Sequence, residues 1–414
     1  MSLLKTRARL AENAPYTNLD LVNMVDTWPY PSSPSYNTHL AKYYTFFVDP
    51  YTEPFGYIHN NFVFDLPWPT EHWLLDHDAK RITLKVAHSP ADGFEARSKA
   101  MRETLWAGHL HIAAKNKKAG VITRRSLYRW CNESFPLLYP PTREPVLELD
   151  GCGVDMLGII NESVFLVGYT YCSPTAQTSS LSTLGRRAAS WTSIASLAST
   201  TGTSTATTPL SEMDMSKLVF NGSTAHANQG VHTADCHPEE DTVERKELRV
   251  YLSRRAKWKS AWPSLLDCTA AGGLSSSDPS PLEGVIREAH EEVRLPSAHL
   301  RSHAKSIGEN RLMLTETEIG EEGCQMQVQH CFEVELPEGI APKPADGDGE
   351  VAGWELVTVP ELKERLRMGE VKPASGLVLI KWMLGRGLLS EEEGRGVGER
   401  LGREWVAKKV VGKE

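Results

Sequence analysis

The chain has 414 residues, of which 40% are hydrophobic and 24% charged, and its formal net charge is −8 at pH 7. This length exceeds what one hydrophobic core usually serves, so we expect two domains in a soluble protein. The negative charge argues against a general nucleic-acid binder, and seven scattered cysteines without C-x-x-C spacing favour free thiols in a reducing compartment.

The distribution of apolar residues disfavours membrane and secreted proteins. No apolar run reaches the length of about 18 residues that indicates a transmembrane helix. The basic start of the chain, MSLLKTRARL, is not followed by the apolar stretch of a secretory signal. We therefore expect a cytoplasmic protein, with an organellar presequence as the weaker alternative.

The first predicted domain spans 15–141 and follows a flexible N-terminus at 1–14. It is rich in aromatic residues and prolines. RITLKVA predicts a strand, and ADGFEARSKAMRETLWAGHLHIAAKN predicts a helix because its apolar residues recur near helical spacing. Pro140 and Pro141 indicate the end of this domain. We expect a small α+β accessory domain.

The second predicted domain spans 146–392. VLELDGCGVDMLGII and SVFLVGYTY predict a pair of strands. The segment 173–244 is rich in Ser and Thr and predicts a disordered insertion, because it buries too little apolar surface to offset the entropy of ordering. KELRVYLSRR, MQVQHCFEVEL and VAGWELVTV predict further strands, followed by two helices near 360–390 and a charged tail at 393–414. Without regular strand–helix alternation, this order predicts an α+β fold in which both pieces share one mixed sheet.

A short helix rich in glutamate lies within AGGLSSSDPSPLEGVIREAHEEVRLP, residues 271–296. Ser280 predicts the N-cap, Pro281 the first helical position and Glu283 the second half of a capping box. The helix has one apolar stripe that faces a core. The stripe is formed by Leu282, Val285, Ile286, Ala289 and Val293. Three glutamates share a neighbouring sector of the helix, where like charges destabilise it mildly: Glu288, Glu291 and Glu292.

These three carboxylates have two interpretations. One is a solvated acidic face. The other is a site for a hard metal ion, because Mg²⁺ prefers oxygen ligands and is often shared between protein carboxylates and substrate phosphates. The residues alone leave both open.

The stretch resembles the Nudix box, G-x5-E-x7-R-E-U-x-E-E-x-G-U, in which U is aliphatic. With Gly273 as the first glycine, the core R-E-U-x-E-E is intact and Leu295 matches the last position. Pro279 stands where the pattern has its first glutamate, with Asp278 one residue earlier, and Arg294 replaces the final glycine.

The resemblance implies a Nudix α/β/α sandwich and a hydrolase that uses Mg²⁺, or Mn²⁺ as an alternative. The implied metal ligands are Glu288, Glu291 and Glu292, and the candidates for the catalytic base are Glu291, Glu292 and Glu350. Glu350 lies in GEVAGWELVTVPEL, which is similar to a stretch near the end of many Nudix domains.

Four further residues are candidates for binding the substrate. Gly272 and Gly273 are expected to shape the loop under the diphosphate. Arg254 and Arg255 precede the box and are candidates for binding the outer phosphate, with a charged strand end as the alternative. Arg287 is expected to be structural and to pair with carboxylates.

A narrower resemblance rests on LYRWCNESFPLL, LLDCTAAGG, FEVELPEG and VKPASGLVLIKWMLGRGLL. Together with the aromatic N-terminal region, these segments are similar to the thiamine pyrophosphokinase-related Nudix proteins, which have an N-terminal accessory domain. The resemblance implies hydrolysis of thiamine diphosphate, and preferentially of its oxidised or damaged forms, to the monophosphate and phosphate. The implied partner is a small-molecule diphosphate, without nucleic acid or membrane, and the oligomeric state stays open.

Two alternatives remain. A Nudix hydrolase for another diphosphate, such as a nucleotide sugar or a dinucleotide, would have the same box, because the box contacts metal and phosphate. A non-catalytic Nudix module that binds a metabolite or a partner protein would explain Pro279 and Arg294.

Overall fold

The computed structural model describes residues 10, 12–85, 93–120, 130, 132–173, 246–259, 261–317, 320–343 and 349–401. Most of the predicted N-terminal segment 1–14, of the predicted insertion 173–244 and of the tail 393–414 therefore lies outside the described residues. None of the described helices is long and apolar enough to cross a membrane.

The described helices and strands alternate irregularly along the chain. The helices are α1 Asn18–Val25, α2 Tyr36–Leu40, α3 Asn60–Asp65, α4 Gly93–Ala119, α5 Val154–Leu157, α6 Pro281–Val293, α7 Ser297–His303, α8 Val359–Arg367, α9 Pro373–Gly385, α10 Glu391–Gly394 and α11 Val397–Leu401. The strands are β1 Tyr43–Val48, β2 Gly56–His59, β3 Trp73–Asp76, β4 Arg81–Leu84, β5 Ser134–Leu138, β6 Pro145–Asp150, β7 Ile160–Cys172, β8 Glu247–Arg255, β9 Leu266–Asp267, β10 Ala270–Gly273, β11 Lys305–Glu316, β12 Glu322–Glu335 and β13 Val351–Thr358.

The N-terminal region is a four-stranded sheet covered by a long helix. Its strand order is β2-β1-β4-β3, with β1 and β4 parallel and the other pairs antiparallel. Met101 and Leu105 of α4 lie in one buried cluster with Phe46 of β1. Trp73 Nε1 also donates a hydrogen bond to Thr104 Oγ1 at 2.7 Å. The predicted helix and strand of this region are confirmed.

The larger sheet has the order β11-β12-β7-β8-β13, with β10 beside β7 and β9 beside β8. β7 and β12 run parallel, and the other pairs run antiparallel. Alternate residues of β7 enter two different cores, because successive side chains of a strand face opposite sides. Phe165 and Val167 pack in a cluster with residues of α1, α8 and α9, whereas Val164 and Leu166 pack with Val285 of α6. Helices cover both faces, so the predicted α/β/α sandwich is confirmed.

The predicted strand pair that begins at Val146 is wrong. β6 pairs with β5 in a separate two-stranded sheet and shares its core with α4. It ends at Asp150, whose Oδ1 accepts a hydrogen bond from Cys152 N at 3.0 Å and so starts a 3₁₀ turn over Gly151–Gly153. The larger sheet therefore begins at Ile160. The division of the chain near 141–146 stays a prediction.

Candidate active site

Helix α6 begins at the residue that the sequence indicates. Ser280 Oγ accepts a hydrogen bond from Glu283 N at 3.3 Å, and Pro281 is the first helical residue. The predicted capping box is only half formed, because the Glu283 carboxylate binds Arg301 of α7, with N–O distances of 2.9 and 2.6 Å. Helix α6 is thereby joined to α7.

Helix α6 ends in a left-handed residue at the position where the Nudix pattern has a glycine. Arg294 is left-handed, with φ 55° and ψ 30°, and its N–H bonds to the carbonyls of Ala289 and His290. A residue with a Cβ costs about 1 kcal/mol at such a position. The next residue, Leu295, is fully buried.

Arg287 fastens α6 to the loop before it. Its Nε and Nη2 donate to Asp278 Oδ1 and Oδ2 at 3.0 and 2.9 Å, and Nη2 also donates to the Gly273 carbonyl at 3.0 Å. Nη1 donates to Glu288 Oε1 at 2.9 Å and to Glu291 Oε2 at 3.1 Å. The expectation that Arg287 pairs with carboxylates is confirmed.

Two of the three glutamates of α6 line a cleft of about 700 Å³. Glu288 and Glu292 are four residues apart and so lie on one face of the helix. The Glu288 side chain is 13% exposed. Glu291 is 56% exposed and is not among the residues that line the cleft. The structure therefore brings Glu288 and Glu292 together and leaves Glu291 outside.

The two glycines of β10 allow other residues to approach the strand closely. A Cβ added at Gly272 would lie 2.0 to 2.3 Å from the carboxylate atoms of Glu288, and one at Gly273 would lie 2.6 Å from Phe135 Cε1. Both glycines line the cleft. They are thus in the wall of the cleft beside Glu288.

Burial raises the pKa of both cleft glutamates. The pKa of Glu288 rises to about 7, although Arg287 opposes the shift. The pKa of Glu292 rises to about 8 because burial and the nearby charge of Glu288 disfavour its ionised form, while a hydrogen bond from Ala271 N at 3.0 Å opposes this. Burial therefore disfavours the ionised form of both carboxyl groups, and a cation bound beside them would favour it.

Positive groups line the same cleft as these carboxylates. Arg255 and Lys259 line it, as does Lys372, the N-cap of α9. Lys259 Nζ lies 2.5 Å from Glu350 Oε1, so the predicted Glu350 is part of the cleft. The N-terminal end of α9 adds partial positive charge, as phosphate sites commonly use.

Arg254 and Arg255 diverge because neighbouring residues of a strand face opposite sides. Arg255 Nη1 donates to Asp267 Oδ2 at 3.0 Å, and its side chain lines the cleft. Arg254 binds the Glu355 carboxylate and donates to the Ser264 carbonyl at 2.9 Å, and it is not among the cleft-lining residues. The structure brings Arg255 to the site and leaves Arg254 away from it.

The cleft offers carboxylate oxygens that suit a divalent metal ion, but these oxygens do not form a preformed coordination site. Among the described residues, no three His, Cys, Asp or Glu side chains converge closely enough to hold a metal ion. Glu288 and Glu350 are instead bound to Arg287 and Lys259. Carboxylate oxygens are nevertheless the ligands that Mg²⁺ and Mn²⁺ prefer. The assignment of metal ligands stays a prediction.

The sequence did not indicate the rest of the cleft. Alternate residues of three adjacent strands line it: Leu312 and Leu314 on β11, Gln325 and Gln327 on β12, and Asn161, Ser163 and Phe165 on β7. Glu133 and Phe135 of the N-terminal region and Trp262 also line it. The alternation in MQVQHC could have indicated that Gln325 and Gln327 share a face, but not which strand lies beside them.

Comparison with known proteins matches a segment that contains part of the site. Residues 242–375 match the family model for the NUDIX domain. A Saccharomyces cerevisiae protein named Uncharacterized protein YJR142W is 30% identical over 154 residues, which are 36% of this chain and 44% of the relative. Nudix hydrolase 24, chloroplastic, from Arabidopsis thaliana is 28% identical over 144 residues, 34% of this chain and 37% of the relative. The chain thus matches less than half of the length of either relative.

Among solved structures, the NUDIX domain of Shewanella oneidensis NrtR, complexed with ADP ribose, is similar at 11% identity. The match covers 55% of this chain and 88% of that chain, with a TM-score of 0.28. A score this low bears on neither the fold nor the substrate.

Proposed function

We propose that this chain, which contains a Nudix domain, is a Mg²⁺-dependent hydrolase of diphosphates. One observation carries the proposal: a single cleft is lined both by Glu288, Glu292 and Glu350 and by the cationic residues Arg255 and Lys372. The carboxylates suit a hard divalent cation, and the cationic side suits the outer phosphate.

Hydrolysis adds water across the bridging P–O–P bond. The water oxygen forms a new bond to one phosphorus, the bridging oxygen leaves with the other phosphate, and a base accepts a proton from the water. We propose Glu292 or Glu350 as this base, because both line the cleft. A bound divalent ion would neutralise phosphate charge and acidify the water. Glu288 and Glu292 would hold it, while Glu291 would stay bound to Arg287.

We further propose thiamine diphosphate, and preferentially its oxidised forms, as the substrate, with the monophosphate and phosphate as products. The support is that segments similar to the thiamine-related Nudix proteins contribute residues to the cleft. LYRWCNESFPLL contains Glu133 and Phe135, and VKPASGLVLIKWMLGRGLL contains Lys372 and Pro373. An oxidised thiazole ring has an added carbonyl, and a site that hydrogen-bonds such a group discriminates strongly.

A substrate panel tests both the proposed Mg²⁺-dependent hydrolysis and the proposed substrate. Phosphate release is measured with Mg²⁺ and with EDTA for oxothiamine diphosphate, thiamine diphosphate, ADP-ribose and a nucleotide sugar. We expect the highest kcat/KM for oxothiamine diphosphate and no turnover in EDTA. Equal or better turnover of a nucleotide diphosphate would reassign the substrate. No Mg²⁺-dependent turnover of any compound would indicate a non-catalytic module.

A further inference from the structure

Asn161 has a buried hydrogen-bond acceptor without a protein partner. Asn161, on β7, is among the residues that line the cleft. Its Oδ1 is buried and has no hydrogen-bond partner within the described residues. A buried carbonyl oxygen that lacks a donor costs free energy, and such groups are rare in folded proteins. A rotation of the side chain that turned Oδ1 into the cleft would let a ligand N–H group satisfy it.

Gln327, also in the cleft, is oriented by a chain of buried amides. Asn310 Nδ2 donates to Gln329 Oε1 at 3.1 Å, and both residues are fully buried. Gln329 Nε2 donates to the Ala374 carbonyl at 3.0 Å and to Gln327 Oε1 at 3.4 Å. Because Gln327 Oε1 accepts from within the protein, its Nε2 is the end that is left to donate to a ligand.

These two amides are neighbours at a distance from the carboxylates that one substrate can span. Gln327 and Asn161 are register partners in the parallel pair of β12 and β7. β10, which carries Gly272 and Gly273, lies on the other side of β7. Neighbouring strands are about 4.8 Å apart, so the amide pair lies about one to two strand spacings from β10. A diphosphate beside β10 would place its organic group over this pair.

We propose that Asn161 and Gln327 bind the organic group of the substrate through a heterocycle edge of the aminopyrimidine type. Asn161 Oδ1 accepts the amine N–H, and Gln327 Nε2 donates to the adjacent ring nitrogen. Phe165, Leu312 and Leu314 line the neighbouring part of the cleft and suit the apolar faces of a ring. The inference rests on the proposed function for the position of the phosphates. Thiamine and adenine both present this edge, so the test compares them.

The test measures binding, so that it does not depend on hydrolysis. Calorimetry in EDTA gives the Kd of thiamine monophosphate and of AMP for the wild type, Asn161→Leu and Gln327→Met. We expect the wild type to prefer thiamine monophosphate and each variant to weaken its binding about 10- to 100-fold, as for one lost hydrogen bond to a ligand. Asn37→Leu, at an exposed position outside the cleft, is the matched control and should keep the wild-type Kd.

Two further measurements separate recognition from a structural role. Asn161→Leu should keep or raise the Tm, because it removes an unsatisfied buried acceptor, whereas a structural asparagine would lower it. An analogue with a carbonyl oxygen in place of the pyrimidine amine should bind wild type weakly and should not be weakened further by Asn161→Leu.

Three results would overturn the inference. The first is an unchanged Kd of thiamine monophosphate in Asn161→Leu. The second is that Asn161→Leu weakens the binding of the amine compound and of its carbonyl analogue by the same factor. The third is that the wild type binds neither thiamine monophosphate nor AMP. Mg²⁺-dependent hydrolysis together with an unchanged Kd would contradict the inference alone. Selective binding without hydrolysis would contradict the proposed function alone.

Discussion

Arg287 and Asp278 are joined by two parallel hydrogen bonds, from Nε to Oδ1 at 3.0 Å and from Nη2 to Oδ2 at 2.9 Å. The Nudix pattern has a glutamate one residue later, where this chain has Pro279. Burial raises the pKa of Asp278, but the hydrogen bonds from Arg287 and Ser275 outweigh it and hold the pKa below its usual value. Asp278 therefore supplies a carboxylate to the loop in a shifted position.

Replacing Asp278 by Asn should lower the free energy of unfolding by about 2–3 kcal/mol, because it leaves the half-buried Arg287 without its bidentate partner. Urea unfolding measures this. The control is Glu283→Gln on the same helix, whose ion pair with Arg301 is solvent-exposed and worth little. If both variants had the same stability, the Asp278–Arg287 pair would not be holding the loop.

The cleft glutamates should make the metal-free protein less stable as pH rises. The pKa values of Glu288 and Glu292 are about 7 and about 8 in the folded state, against an ordinary 4.5. Between about pH 4.5 and pH 8, the folded state thus binds more protons than the unfolded state. The stability from these groups is complete below about pH 4.5 and is lost as pH rises to about 8, at up to about 1.4 kcal/mol per pH unit for each proton.

Urea unfolding in EDTA from pH 5 to 8 measures this slope, and Glu292→Gln should make it shallower. Excess Mg²⁺ should raise stability more at pH 8 than at pH 6, because protons must leave before the ion binds. A wild-type slope that Glu292→Gln leaves unchanged would show that the carboxyl titrates alike in both states.

Adjacent arginines should have different effects on catalysis. Arg255→Lys keeps the charge but loses the two hydrogen bonds from Nε and Nη2 to the Ala261 carbonyl that hold the side chain beside Asp267, so kcat/KM should fall about 10-fold or more. Arg254→Lys is the matched control, since Arg254 binds Glu355 away from the cleft. Steady-state phosphate release measures both variants. Equal losses of kcat/KM in the two variants would mean that Arg254 and Arg255 contribute equally to catalysis, although only Arg255 lines the cleft.

The segment 175–242 should be dispensable for folding and hydrolysis. Cys172 and Glu247 are register partners in the antiparallel pair of β7 and β8, so their Cα atoms are about 5 Å apart. A short Gly/Ser linker can replace 175–242 with little cost in loop closure. We expect the Tm and the rate of phosphate release to stay near wild type. A large fall in either would show that this segment supports the sheet.

The sequence predicted the local features of the site well. Helix α6 begins at Pro281, directly after the predicted N-cap Ser280, because caps depend on neighbouring residues. The strands β8, β12 and β13 also lie where their apolar runs indicate. The exception is β6, where the turn after Asp150 interrupts an apolar run that continues in the sequence.

The cleft could not be predicted because its residues are distant along the chain. Asn161 and Gln327 meet through a parallel pairing, which no local pattern specifies. Phe135 reaches Gly273 from a separate two-stranded sheet. Likewise, the sequence offered Arg254 and Arg255 equally, and only the packing of β8 decides which of the two lines the cleft.

The most direct test of the account is the rate of Mg²⁺-dependent phosphate release by Glu292→Gln, with Glu291→Gln measured beside it. Glutamine keeps the size of the side chain and removes the charge that would bind metal or accept a proton. We predict a fall in kcat of about 1000-fold for Glu292→Gln, as a metal ligand contributes several kcal/mol to the transition state. Glu291→Gln should lose less than about 10-fold, since Glu291 lies outside the cleft. Full Mg²⁺-dependent activity in Glu292→Gln would contradict the account.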